Sequence, residues 1–97
     1  MVKQEEVLRM IARRTKEGHS TSYRTLAREL DLSEEAACEH LKRLWRERLI
    51  RTTMRPPRYK FRLERGESIR DLRFDLASRG RERLKWYEKR DDEEGWF

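Results

Sequence analysis

Apolar residues in the first half of the chain recur at the spacing of one helix face. Between Lys3 and Glu17, Val7, Leu8, Ile11, Ala12 and Thr15 fall on one side with charges elsewhere, which predicts an amphipathic helix. Gly18 ends it and "HSTS" makes a connection. Ser22 is placed to cap a second helix, Tyr23 to Leu30, that turns Leu26, Ala27 and Leu30 inward. "DL" is a tight break, since aspartate is one of the few non-glycine residues that tolerate the left-handed conformation, here at Asp31. Ser33 then caps a third helix reaching about Arg48, with Ala37, Leu41 and Leu44 stacked on one face.

After Leu49 and Ile50 the period changes. "IRTTM" is short and β-branched, and "RPPR" can be neither helical nor central in a sheet. "YKFRL" alternates Tyr59, Phe61 and Leu63 against basic residues, which predicts a strand. "ERGE" offers an Arg-Gly turn, and "IRDLRFDL" alternates Leu72, Phe74 and Leu76 against charge as a returning strand. From Ser78 a fourth helix runs to about Arg90, with Leu84 and Tyr87 on one side and Trp86 beside them. The expected fold is mainly α with a small β-hairpin (α+β): a three-helix core, a long basic hairpin and a C-terminal fourth helix. Residues 1–90 form one domain, and 91–97 an acidic tail expected to be disordered.

Composition narrows what such a domain can do. Charged residues make up 45% of the 97-residue chain and hydrophobic ones 35%, so one modest core must be built from short amphipathic pieces. No apolar run approaches the roughly 20 residues of a membrane span, and no secretory h-region is visible, so a cytoplasmic protein with no membrane role is expected. The net charge is +6 and unevenly placed: Arg51 to Arg73 holds eight basic residues against three acids, whereas Asp91 to Glu94 is wholly acidic. A basic surplus gathered on one element points to a phosphate-rich partner. The chain has no asparagine and one glutamine amid dense Glu and Arg, a bias shared by thermophile proteins.

The order helix, helix, tight turn, helix, basic hairpin, helix gives two segments a specific meaning. "SYRTLARELDLSEEAACEHLKRLWRERLI" resembles a winged helix-turn-helix: cap, "LA", turn, serine, a recognition helix ending "LKRL", then "LI" into the first wing strand. "RFDLASRGRERL" is similar to the segment by which such domains leave the wing and enter their last helix. Over about Glu5 to Tyr87 the chain therefore resembles winged helix-turn-helix transcription regulators of the MarR, PadR and ArsR type. Three departures bear on wing geometry. Arg48 stands where a glycine usually precedes "LI", Ala77 replaces the threonine that caps the last helix, with Ser78 as substitute, and the hairpin is longer and broken by Pro56-Pro57.

The resemblance implies a sequence-specific, double-stranded DNA-binding regulator acting as a homodimer through helices one and four, with Leu84, Trp86 and Tyr87 at the interface. On the third helix, Ser33, Glu35, Ala36, Glu39, Lys42, Arg43 and Arg46 would lie on or near the DNA face. Glu34 and Glu35 are unexpected there, because acids repel phosphate. Three readings are open. In the first turn the helix dipole favours negative charge by about 0.3–1 kcal/mol each. Alternatively, Glu35 or Glu39 accepts a hydrogen bond from cytosine N4, or this face meets protein. The attraction must then come from Lys42, Arg43 and Arg46 and from the hairpin residues Arg55, Arg58, Lys60, Arg62 and Arg65. If Tyr59, Phe61 and Leu63 point inward, Arg58, Lys60 and Arg62 form a stripe at about 7 Å spacing, close to that of phosphates along a strand. Arg65 at the tip could enter a minor groove.

Little else carries chemistry. Cys38 and His40 are two apart on a helix and cannot chelate one metal together, and a lone cysteine excludes an internal disulfide. No catalytic triad, paired-carboxylate site, phosphate-binding glycine loop or metal cluster is legible, so no enzyme, cofactor, metal or small-molecule ligand is expected. Two other partners fit the same residues. A protein-interaction module would dock through the Glu-rich helix and the aromatic last helix. An RNA-binding winged helix would use the same phosphate attraction.

Overall fold

A computed structural model describes residues 2–94, with the side chains of 91–94 left undescribed. It has the helices α1 (Gln4–Lys16), α2 (Tyr23–Glu29), α3 (Glu34–Arg46) and α4 (Ser78–Glu94) and the strands β1 (Ile50–Thr52) and β2 (Phe74–Leu76), with a 3-10 turn at Ile69–Asp71 between the strands. The strands pair antiparallel, Ile50 opposite Leu76 and Thr52 opposite Phe74. This is the winged-helix arrangement: four helices and a two-stranded antiparallel hairpin.

The helices begin where their caps require. Ser22 Oγ accepts from the Thr25 amide at 3.4 Å and Ser33 Oγ from the Ala36 amide at 3.1 Å, each satisfying a first-turn donor that has no partner within the helix. Leu8 and Ile11 from α1, Leu26 from α2 and Leu41, Leu44 and Trp45 from α3 are fully buried around one core with Leu49, Ile50 and Phe74. Each large apolar side chain so enclosed contributes about 1.5–3 kcal/mol. Thr15 joins α1 to the sheet by accepting from the Leu76 amide at 3.0 Å while donating to the Ile11 carbonyl. Thr21 pairs with Phe74 through reciprocal backbone bonds of 2.8 and 2.9 Å, adding a one-residue bridge that no sequence period announced.

Two non-glycine residues in the left-handed conformation set the turns on either side of α3. Asp31 (φ 52°) breaks α2 from α3, as predicted. Arg48 (φ 62°) ends α3, two residues after its last helical residue, at the position where the resembling domains carry glycine. A side chain in this conformation costs about 1–2 kcal/mol. Because Arg48 is exposed, Arg48→Gly is expected to stabilise the domain by about 1 kcal/mol, the relief being partly offset by the greater freedom of glycine in the unfolded chain. Urea unfolding should show a higher midpoint at unchanged slope.

The hairpin departs from expectation between its two short strands. "YKFRL" is not a strand, and the return joins the sheet only from Phe74, after the 3-10 turn. The chain folds back at once: Thr52 donates its amide to the Arg58 carbonyl at 3.2 Å, and its hydroxyl accepts from the Arg58 amide at 2.8 Å. Residues 53–58 thus form a closed loop around Pro56-Pro57, and the backbone that would have paired with β2 is used locally. The Thr53 amide bonds instead to the Arg73 carbonyl at 3.1 Å. The predicted turn does form at Arg65-Gly66, where Gly66 has φ 80°. At the other end α4 continues to Glu94, so the backbone of 91–94 is helical where an unstructured tail was expected; 95–97 lie outside the described residues.

Candidate nucleic-acid interface

One face of α3 is spent on the core. Ala37, Leu41, Leu44 and Trp45 are fully buried and Cys38 nearly so. The other presents Ser33, Glu35, Glu39, Arg43 and Arg46 to solvent, with Ala36 and Lys42 half-buried at its edges. The Ser33 hydroxyl is engaged as the cap. Lys42 lies 3.5 Å from Glu39, one turn earlier, so part of its charge is answered on the helix itself. Arg46 is held with its guanidinium 4.8 Å from the Phe61 ring, which aims a cation from the C-terminal half of α3 along the seam with the hairpin loop. Arg43 makes no ion pair among the described residues and is the most available cation on this face.

The first-turn glutamates divide. Glu34 accepts from Arg70 at 3.2 Å, a residue of the 3-10 turn. That contact ties the start of α3 to the return segment and answers the charge of Glu34. Glu35 and Glu39 remain exposed, the latter 68% by its side chain. Both stay available to a base-edge donor.

The expected cationic stripe does not form. Arg58 points inward, only 16% exposed, and makes a two-pronged ion pair with Glu67, the second contact at 3.3 Å, while Glu64 lies 3.4 Å away. The Glu67 hydrogen bond raises the Arg58 pKa above its ordinary value, and the Arg58 hydrogen bond holds the Glu67 carboxyl below the usual carboxylate range. Glu67 also accepts from the Glu64 amide, so the pair braces the loop tip. Arg58 is therefore a structural residue of the loop. Arg62 is 73% exposed but shares Glu64 at 3.3 Å. Arg55, Lys60 and Arg65 are exposed and make no ion pair among the described residues. Tyr59, expected inside, is 46% exposed and bonds through its hydroxyl to Arg51 at 2.8 Å, while Phe61 and Leu63 are half-buried. The sequence shows Glu64 and Glu67 but not that a closed loop brings them back onto Arg58.

Trp45 anchors this loop to α3. Its Nε1 donates to the Arg58 carbonyl at 3.1 Å, and its ring meets Phe61 edge-on at 4.9 Å and Phe74 at 5.3 Å. A buried indole thus helps fix the loop cations relative to α3.

The remaining candidates are placed as follows. Burial pushes the Cys38 thiol up, against a smaller opposing pull from Arg70 and Lys42, which disfavours the thiolate. Burial, with Arg43 beside it, lowers the His40 pKa and favours neutral imidazole. Of the proposed interface residues on α4, Tyr87 is buried and Leu84 half-buried against the chain's own core, leaving Trp86, 55% exposed, on the surface. Arg90 lies 5.2 Å from the Trp86 ring and bonds to Glu5 of α1 at 2.9 Å. Among the described residues no helix is long and apolar enough to cross a membrane, and no group of three or more His, Cys, Asp or Glu could hold a metal.

Residues 2–59, more than half of the chain, match the family model of the LexA DNA binding domain. The match agrees with the winged-helix reading but selects a different group from the MarR, PadR and ArsR regulators that the sequence resembles. No curated protein and no solved structure matches.

Proposed function

Because the chain belongs to the LexA DNA-binding domain family, we propose that it acts as a transcription regulator with α3 laid in the major groove of its site. The exposed face of α3 carries this reading. Glu35, Ala36, Glu39, Lys42 and Arg43 line it on a helix whose opposite face is locked in the core, so these side chains are presented on a rigid support. Ser33, by capping the helix, sets the angle at which it meets the groove.

Phosphate attraction comes from the C-terminal half of α3, Arg43 and Arg46, together with Arg55, Lys60, Arg62 and Arg65 of the loop. With Arg58 occupied by Glu67, the loop contributes scattered cations to the flanking backbone or minor groove. Glu35 and Glu39 then serve selectivity: an acid facing cytosine N4 is tolerated, and one facing an acceptor edge is rejected.

The same reading keeps a two-fold homodimer on a pseudo-palindromic site, with α4 as the contact. The exposed Trp86 ring supports it, since an aromatic left on the surface of a highly charged helix favours association. Binding to mixed duplexes at two salt concentrations tests the proposal. Affinity should fall steeply as salt rises, by about 0.9 in logarithmic slope for each phosphate engaged. Arg43→Ala should weaken every duplex, whereas Glu39→Ala should change preference at one base position. Light scattering of the complex should find two chains per site. Salt-independent binding, or equal preference for structured RNA, refutes the assignment.

A further inference from the structure

The charge expected of the hairpin stripe reappears elsewhere. Beside the start of α3 lies an open cleft of about 460 Å³ lined by Ser22, Tyr23, Arg24, Arg70, Asp71 and Arg73, with Leu72 at its back. Arg70 and Arg73 lie outside the segment that matches the family, in the long return of the hairpin. Their convergence on α2 thus draws on residues beyond the matched segment.

Each guanidinium in the cleft is pre-positioned. Arg24 donates through Nε to the Tyr23 hydroxyl at 3.0 Å, Arg73 donates to Ser20 Oγ at 3.3 Å, and Arg70 stacks 5.0 Å from the Tyr23 ring while paired to Glu34. All three arginines are exposed. The one acid in the lining, Asp71, is engaged by the Ser68 amide at 2.9 Å in a capping box. Arg24 and Arg73 make no ion pair among the described residues, so each keeps donors for an external anion. Arg24 and Arg73 are held by neutral oxygens, which leave their charge for a ligand to neutralise, whereas Glu34 answers that of Arg70. Arginine's planar fork suits the tetrahedral, multi-oxygen anion of a phosphodiester.

We propose that Arg24 and Arg73 form a second anchor that grips a backbone phosphodiester of the bound duplex next to the N-terminus of α3. Arg70 shapes this anchor and ties it to the recognition helix through Glu34. The anchor rests on the DNA-binding reading above and adds to it the point at which the acid-tipped end of α3 is held against a polyanion. The return segment thus supplies the attraction that Glu34 and Glu35 would otherwise oppose.

The test is a salt titration of duplex binding by fluorescence anisotropy for four proteins. These are the unsubstituted chain, the Arg24→Gln/Arg73→Gln pair, the charge-keeping Arg24→Lys/Arg73→Lys pair, and Arg81→Gln on the exposed face of α4 as control. The glutamine pair should lower the slope of log K against log salt by about 0.9, the value for one phosphate, and weaken all duplex sequences alike. The lysine pair should keep most of that slope, and Arg81→Gln should match the unsubstituted chain. A slope unchanged in the glutamine pair, or lost equally in the lysine pair, overturns the anchor while leaving DNA binding by α3 standing. Failure of the unsubstituted chain to bind duplex DNA overturns both.

Discussion

Trp45→Ala is expected to cost about 3–5 kcal/mol of stability, the range for removing a large aromatic from a closed core. A domain of this size has a total of about 5–15 kcal/mol to lose. The indole is fully buried, and three separate attachments end in it: the Phe61 edge, the Phe74 edge and the Arg58 carbonyl. Two of those belong to the hairpin loop, so the deletion removes packing from the core and the fastening of the loop together. Trp45→Phe separates the two effects. It keeps a ring near Phe61 and Phe74 but removes one of the two donors to the Arg58 carbonyl, which retains the Thr52 amide, at about 0.5–1.5 kcal/mol for one hydrogen bond. Urea unfolding followed by circular dichroism measures both. The proposed interface adds a second expectation. Under conditions where Trp45→Phe is fully folded, its salt slope for duplex DNA should be shallower, because Lys60 and Arg62 are no longer held relative to α3. An unchanged stability in Trp45→Ala would mean that the loop does not rest on the indole.

Trp45 also marks where sequence reading stopped. The helices were legible because their periods are long and their ends chemically marked: Ser22 and Ser33 cap as read, and Asp31 takes the left-handed turn. Arg48 was read as a departure from a glycine pattern, and its φ of 62° bears out the cost. The loop was misread because alternation records which side chains are apolar, not which backbone is free to pair. Phe61 and Leu63 do turn partly inward, but Thr52 had already captured the backbone of Arg58, and Tyr59 was drawn out by Arg51. Alternation and charge together put Arg58 in a DNA-facing stripe; Glu67, nine residues on, claims it only after the chain folds back. On α3 the exposed set could be read correctly because a helix fixes all its faces once its buried one is known. The Arg24, Arg70 and Arg73 cleft could not be read, since its members come from segments far apart in sequence and meet only through tertiary packing.

Gly80→Ala gives the second large effect, and intrinsic propensity predicts the wrong sign for it. Gly80 lies in the first turn of α4, where replacing glycine by alanine in a helix would gain up to about 1 kcal/mol. Here an added Cβ would stand 2.2 Å from the Leu49 carbonyl oxygen and 2.6 Å from Leu76 Cδ1. The first of these is backbone, and it cannot move aside: the same carbonyl accepts the Ala77 amide at 3.0 Å, a bond that fixes the entry of α4. Forcing a methyl into so close a contact costs about 1–3 kcal/mol or more, because helix and strand must separate. The clash therefore wins, and Gly80→Ala should lower the melting temperature, by about 4–8 °C for each kcal/mol in a domain of this size. Arg79→Ala, one residue earlier on the exposed side, should leave it unchanged. Duplex binding provides the contrast with Trp45. Gly80 lies at the seat of α4, away from the exposed face of α3, so below its lowered melting temperature Gly80→Ala should retain the full salt slope of the unsubstituted chain. A higher melting temperature would show that α4 does not sit on the Leu49 carbonyl. A shallower slope at full folding would instead bring α4 into the DNA interface.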